Sequence, residues 1–296
     1  MIVVAGASGD LGLRIVRALR AKGAPVRALV REQSKSDAKE SLRATGAELV
    51  EVSYGAAESL SQACRGGACV VSAVLGLHDT IVGDQTRLLD AAVAASVPRF
   101  IPSDYASDFT KLPWGRNRNF DLHNEFRTIA DRAKIHVTSI LNGAFMDLLH
   151  GDAPLILHKI RRVLYWQSAE QKLDFTTRND TAAFTAAVAL DTQTPRFIRV
   201  AGDQLSAREL AATVSEVSGK HFGLLRAGDL KRLGALINVT RALAPQEDAP
   251  FPAWQGMQYM RDMFDGRGLL EPLDNARYPE IKATSVRDYL RSGAKD

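Results

Sequence analysis

The stretch VAGASGDLGLRIVRAL, residues 4–19, decides the fold. An apolar run enters a turn with glycines at 6, 9 and 12, and an amphipathic helical pattern leaves it. Each glycine has a steric task in a strand–turn–helix of this kind. Gly6 permits a sharp exit from the strand, Gly9 lets the main chain approach a diphosphate, and Gly12 lets helix and strand pack closely. The helix N-terminus then points unpaired amides at negative charge. Alone the spacing is a weak signal. Between a strand and a helix, at the head of further strand–helix units, it reads as a dinucleotide-binding turn formed by Gly6, Ala7, Ser8, Gly9, Asp10, Leu11 and Gly12.

Those further units follow at once. Short β-branched runs at 2–5, 25–30, 47–52, 69–74 and 98–103 alternate with helical patterns near 10–22, 35–45, 57–65 and 80–95, and another helix falls near 119–133. A sixth strand, HVTSIL, spans 136–141. Continuous apolar runs separated by crossover helices predict an α/β, doubly wound parallel sheet of the Rossmann type. After Gly143 the alternation loosens into short strands (162–166, 172–177, 197–202) and capped helices, Ser206 to Glu209 being a capping box. Asn179 and Asp180 are candidate caps for TAAFTAAVAL, and the proline-bearing APQEDAPFPA (244–253) reads as a loop. The expected organisation is a dinucleotide domain over 1–145 and a smaller mixed α/β substrate or lid domain over 146–296, with segments interleaved.

Composition narrows the function classes. With 38 Lys+Arg against 34 Asp+Glu, the net charge is only +4. The basic residues are scattered, which argues against nucleic acid. Cys64 and Cys69 flank a Gly-Gly turn and have neither metal-ligand nor disulfide spacing. No apolar run approaches a membrane span. A reduced, cytoplasmic protein without a metal or membrane association is expected.

The second strand ends in Val30-Arg31, where an acidic residue would hold a free ribose 2′-hydroxyl. A guanidinium there suits a 2′-phosphate, so the expected cofactor is NADP, with Lys35 as a second clamp. Arg14 is a further candidate, and each of these cations has a surface-charge alternative. Ala73 and Val74, small residues ending the fourth strand, are expected beside the cofactor. Tyr54 either stacks on the adenine or is a loop residue. Tyr105, Tyr165 and Tyr289 have no lysine four residues on, so none of them offers the tyrosine-lysine pair of common short-chain dehydrogenases. HExxH, GxSxG and clustered metal-ligand patterns do not occur either.

The segments RFIPSDYASDF (99–109), NFDLHNEFRTIADRA (119–133) and TSILNGAF (138–145) remain. Together with GASGDLG and Arg31 they resemble the NmrA-like and isoflavone-reductase-like branch of the atypical short-chain dehydrogenases, over essentially the full length. Reductases of that branch carry a lysine on the helix after the proline-serine-acid segment. Aligning Phe120-Asp121-Leu122 on that pattern places His123 in the lysine position. An imidazole there would exchange a proton near neutral pH, or it is a half-buried histidine of an amphipathic helix. The resemblance implies a cleft lined by Asn142 and Gly143 toward the cofactor and by His78, Asp104, Tyr105 and Phe145 toward the substrate. Two functions stay open: an NADPH-dependent reductase of a small apolar, aromatic or conjugated carbonyl or quinone-type substrate, and a non-catalytic redox sensor acting through a protein partner. Sugar-nucleotide epimerisation would need a tyrosine-lysine pair, which Tyr105, Tyr165 and Tyr289 do not supply.

Overall fold

The computed structural model describes residues 1–150 and 155–293. The chain forms two compact units, each assembled from three segments: 1–105, 122–140 and 181–198 in the first, and 106–121, 141–180 and 199–296 in the second. The sequence reading expects a smaller second half; the two units come out nearly equal in length.

In the first unit, β1 (Ile2–Ala5), β2 (Val26–Val30), β3 (Glu48–Glu51), β4 (Cys69–Ser72), β5 (Arg99–Ile101) and β6 (His136–Val137) form one sheet in the order β3-β2-β1-β4-β5-β6. Every pairing in it is parallel. The crossovers are α1 (Asp10–Ala21), α2 (Ser36–Arg43), α3 (Ala57–Cys64) and α4 (Gln85–Ala94), with α5 (Arg118–Ala130) before β6. All residues of β1 and β4 are buried, as central strands covered on both faces must be. Leu60, Leu88, Phe100 and Phe126 fill one side of the sheet. The strand order reverses between β1 and β4, so a crevice opens at their carboxyl ends, the usual ligand position in doubly wound sheets.

The second unit contains β8 (Ala144–Phe145), which follows β7 (Ser139–Leu141), then β9 (Ile156–Leu157), β10 (Arg162–Trp166) and β11 (Lys172–Thr176). After α6 (Arg178–Leu190) come β12 (Phe197–Arg199), β13 (Asp203–Ser206), α7 (Ala207–Ser218), β14 (Gly223–Gly228), α8 (Leu230–Leu243), α9 (Ala253–Asp265) and α10 (Val286–Ser292). Two three-stranded sheets, β14-β10-β9 and β13-β11-β8, share a core with Trp254, Met260 and Phe264 of α9. The Met257, Met260 and Met263 series therefore serves packing. Arg118 donates to the carbonyls of Glu247, Ala249 and Pro250, pinning the proline-bearing loop before α9.

Three expectations change. The strand expected over 136–141 divides, because its donors switch partner: Thr138 N–H donates to Phe100 O in the large sheet, and Ser139 N–H donates to Arg196 O. The helix expected over 80–95 begins as a π-helical turn, Asp79–Asp84, before α4. Neither Asn179 nor Asp180 starts α6; the hydroxyl of Thr177 accepts from Asp180 N–H, while the Asp180 carboxyl accepts from Thr284 N–H. The capping box is formed in full, with Ser206 Oγ accepting from Glu209 N–H and Glu209 Oε2 from Ser206 N–H. Among the described residues no helix is long and apolar enough to cross a membrane.

Candidate functional site

The turn after β1 has the geometry that its glycines predict. Gly6 has φ +71°, and a Cβ there would lie 2.5 Å from Ala73 O. A Cβ on Gly12 would lie 2.2 Å from Gly6 O, so helix and turn touch through bare backbone. Gly9 has more room, its nearest neighbour being Gly6 O at 3.3 Å from the same construction. Gly9 is the N-cap of α1, and no side chain caps the helix, which leaves the first-turn amides available to an anion. Such a cradle fits a dinucleotide diphosphate. Ala7 is buried, Leu11 half-buried, and Ser8 Oγ lies 3.3 Å from Ser34 Oγ. The Asp10 carboxylate takes Arg14 at 2.9 Å, so Arg14 serves the helix surface. Ala73 and Val74 join the turn through their main chain: Ala73 N–H donates to Ala5 O, and the Ala73 carbonyl abuts Gly6.

Arg31 leaves the end of β2 and lies over the Tyr54 ring, 5.4 Å from its centroid. Its Nη2 donates to Asp84 Oδ2 at 2.8 Å. Burial pushes the Tyr54 phenol up to about 12, against the lowering effect of Arg31. A cavity of about 380 Å³ opens here, lined by Arg31, Glu51, Ser53, Tyr54 and Asp84 among others. Lys35 is exposed at the N-cap of α2. One turn later, Lys39 bonds Glu51 Oε1 and Glu32 O. Neither Asp84 nor Lys39 is prominent in the sequence. Lys39 repeats the basic position of Lys35 one turn on, whereas Asp84 lies 53 residues from Arg31 and has no local signal.

Beyond β5 the chain builds a polar string. Ser103 N–H donates to Gln85 Oε1 and its hydroxyl to Val74 O, which ties the exits of β4 and β5 together. Asp104 follows and is fully buried. One carboxyl oxygen lies 3.1 Å from His123 Nδ1 on α5, and the other accepts from Ser139 Oγ at 2.6 Å. Arg196 Nη1 donates to Ser139 Oγ at 2.7 Å, and its Nε to Asp131 at 2.7 Å. An acceptor at Nδ1 selects the tautomer that carries its proton there and puts the lone pair on Nε2. Sequence reasoning found both ends of this string but not Ser139 or Arg196, which come from β7 and the strand-edge segment before β12.

Two further residues are expected to line the substrate side. His78 is largely exposed, with Nε2 3.2 Å from Glu125. The Tyr105 hydroxyl is enclosed beside Thr185, and burial drives its pKa well above the usual phenol value, so it stays protonated. Asn142, Gly143 and Phe145 belong to the second unit. The amides of Asn142 and Gly143 both donate to Ala106 O. Gly143, at φ +68°, is required by Asp174, whose Cβ would be 2.3 Å from an added methyl. The Arg178 guanidinium covers the Phe145 ring at 5.0 Å.

Known proteins are similar to this chain over nearly its full length. The chain is 27% identical to pinoresinol reductase 1 of Arabidopsis thaliana, over 98% of this chain and 96% of that protein. The structure of AtPrR2 with NADP+ and (+)pinoresinol superposes with a TM-score of 0.79 at 23% identity, covering 99% of this chain and 98% of the other. An NADPH-dependent quinone oxidoreductase from Escherichia coli, complexed with NADPH, gives 0.78 at 19% identity, with 99% of each chain covered. Residues 1–290 match the NmrA-like family, so the chain belongs to that family.

Proposed function

We propose that the chain is an NADPH-dependent reductase acting on a small aromatic substrate with a conjugated carbonyl or quinone group, and that His123 exchanges the proton. The observation that carries this reading is the Asp104–His123 pair. A buried carboxyl held by Ser139 lies 3.1 Å from His123 Nδ1 and can orient the imidazole on α5. NADPH, when bound, supplies a hydride. The chain's own part is to hold it: the α1 amides and Gly9 for the diphosphate, Arg31 for the 2′-phosphate, and Ala73 and Val74 along its edge. His123 gives a proton from Nε2 while Nδ1–H stays on Asp104, so the imidazole passes between cation and a single neutral tautomer without turning over. Asn142, Gly143 and Phe145 are assigned to the cofactor and substrate by resemblance alone, and His78 and Tyr105 serve the site's surroundings. The relatives named above are reductases or oxidoreductases, and the regulator acting through a protein partner receives no support from them. Two free, buried cysteines suit the reducing cytoplasm.

The test is turnover. Purified protein is given NADPH and a panel of quinones, enones and aromatic aldehydes, and loss of the reduced-nicotinamide absorbance is followed. His123→Ala should lower kcat by about 10²-fold or more while leaving the NADPH dissociation constant unchanged. Tight NADPH binding with no turnover of any panel member would overturn the reductase reading.

A further inference from the structure

Arg31 is the cation that the sequence assigns to a 2′-phosphate, yet it is already engaged. Asp84, the last residue of the π-helical turn, accepts from Arg31 Nη2 at 2.8 Å through Oδ2 and from Arg87 Nη1 at 3.0 Å through Oδ1. Its side chain is 18% exposed and Arg31's is 48%. Both residues line the cavity of about 380 Å³ over Tyr54, a size within the range of small-ligand clefts. Of the two other carboxylates in its lining, Glu32 and Glu51, the second is paired with Lys39 at 2.7 Å. One cavity therefore holds a guanidinium suited to a phosphate and, in contact with it, a carboxylate suited to a sugar hydroxyl.

We propose that Asp84 is a coenzyme-discriminating residue: it occupies Arg31 until a ribose 2′-phosphate displaces it, whereas a free 2′-hydroxyl bonds to the carboxylate in place. This rests on the coenzyme reading given above. Displacement does not strand Asp84, because its second oxygen keeps Arg87. It does leave a carboxylate beside an incoming phosphate, and that like-charge contact opposes NADP(H) and not NAD(H). The wild-type preference for NADPH is accordingly smaller than a lone arginine would give, and the turn after β4 sets it jointly with the end of β2.

The experiment is a pair of calorimetric titrations, NADPH and NADH, on the full chain and on Asp84→Asn, repeated with 2′,5′-ADP and 5′-ADP to isolate the adenosine end. Asp84→Asn should tighten NADPH and 2′,5′-ADP by about five-fold, the scale of a partly exposed ion pair, and leave NADH and 5′-ADP unchanged or weaker. Asp84→Ser should move the ratio in the same direction, with thermal melts showing both variants folded. An unchanged ratio, or weaker binding of the 2′-phosphorylated probes, overturns the role of Asp84 while the coenzyme site stands. If wild-type protein bound none of the four probes, the coenzyme reading itself would fall.

Discussion

His123 Nδ1 and Asp104 Oδ1 lie 3.1 Å apart, one on a half-exposed helix face and the other with no solvent exposure at all. The carboxyl reaches its depth because Ser139 Oγ and, behind it, Arg196 supply donors that water would otherwise provide. Asp104→Asn replaces an acceptor by a group that presents either an oxygen or a clashing amide to Nδ1–H. We expect kcat to fall by about 10²-fold with NADPH affinity retained. An unchanged kcat would make the pair structural.

The glycine turn separates folding from binding. Gly12→Ala places a methyl against backbone that cannot move aside, and should destabilise the protein by about 1–3 kcal/mol, read as a lower denaturation midpoint. Gly9→Ala meets only Gly6 O at 3.3 Å and has no left-handed backbone to strain, so the midpoint should change little. A methyl at Gly9 nonetheless stands where a diphosphate would approach. NADPH binding by calorimetry should weaken at least ten-fold, an order-of-magnitude expectation for a lost close contact. Equal affinity for the Gly9 variant and the wild type would remove the cradle.

Arg99 is a buried cation whose bonds go to Val188 O, Ala189 O and Thr194 Oγ1. The carboxyl end of α6 supplies the opposing partial charge. Arg99→Met would leave those acceptors buried without a donor, at a cost of about 2–4 kcal/mol in urea unfolding. A cost under about 0.5 kcal/mol would show that water replaces the guanidinium.

The capping box gives a pH-dependent prediction. Hydrogen bonds from Lys172 first, then from Ser206, hold the Glu209 carboxyl at about 2, below its ordinary value of 4.5. A depressed folded-state value stabilises above the unfolded value and is lost as pH falls through the folded one. Glu209→Gln should therefore melt below the wild type at neutral pH, and the difference should shrink between pH 4.5 and about 2. The group is exposed, so the gap will be small and reduced by salt. A difference that grew on acidification would have the wrong sign.

Much of the first unit is legible because its information is local. β-branched runs and the 3.6-residue period locate β1 to β5, and the glycines at 6 and 12 are explained by contacts within the turn or with the adjacent strand. What escapes depends on partners distant in sequence. Nothing in HVTSIL says that Thr138 and Ser139 bond to different strands, and Asp84 becomes visible only when β2 and the π-helical turn lie side by side. Thr177 is masked in the sequence by Asn179 and Asp180, two capping residue types that follow it. His123 is legible only by alignment, and its support by Ser139 and Arg196 only by folding.

The segment order of the units has a consequence for synthesis on the ribosome. A nascent chain that has emerged as far as residue 145 carries every strand of the large sheet, but the carbonyls that satisfy Arg99 arrive with residues 188 and 189. Until then a positive charge in β5 lacks its main-chain acceptors, so the six-stranded sheet reaches its final stability only once residues 188 and 189 have been translated.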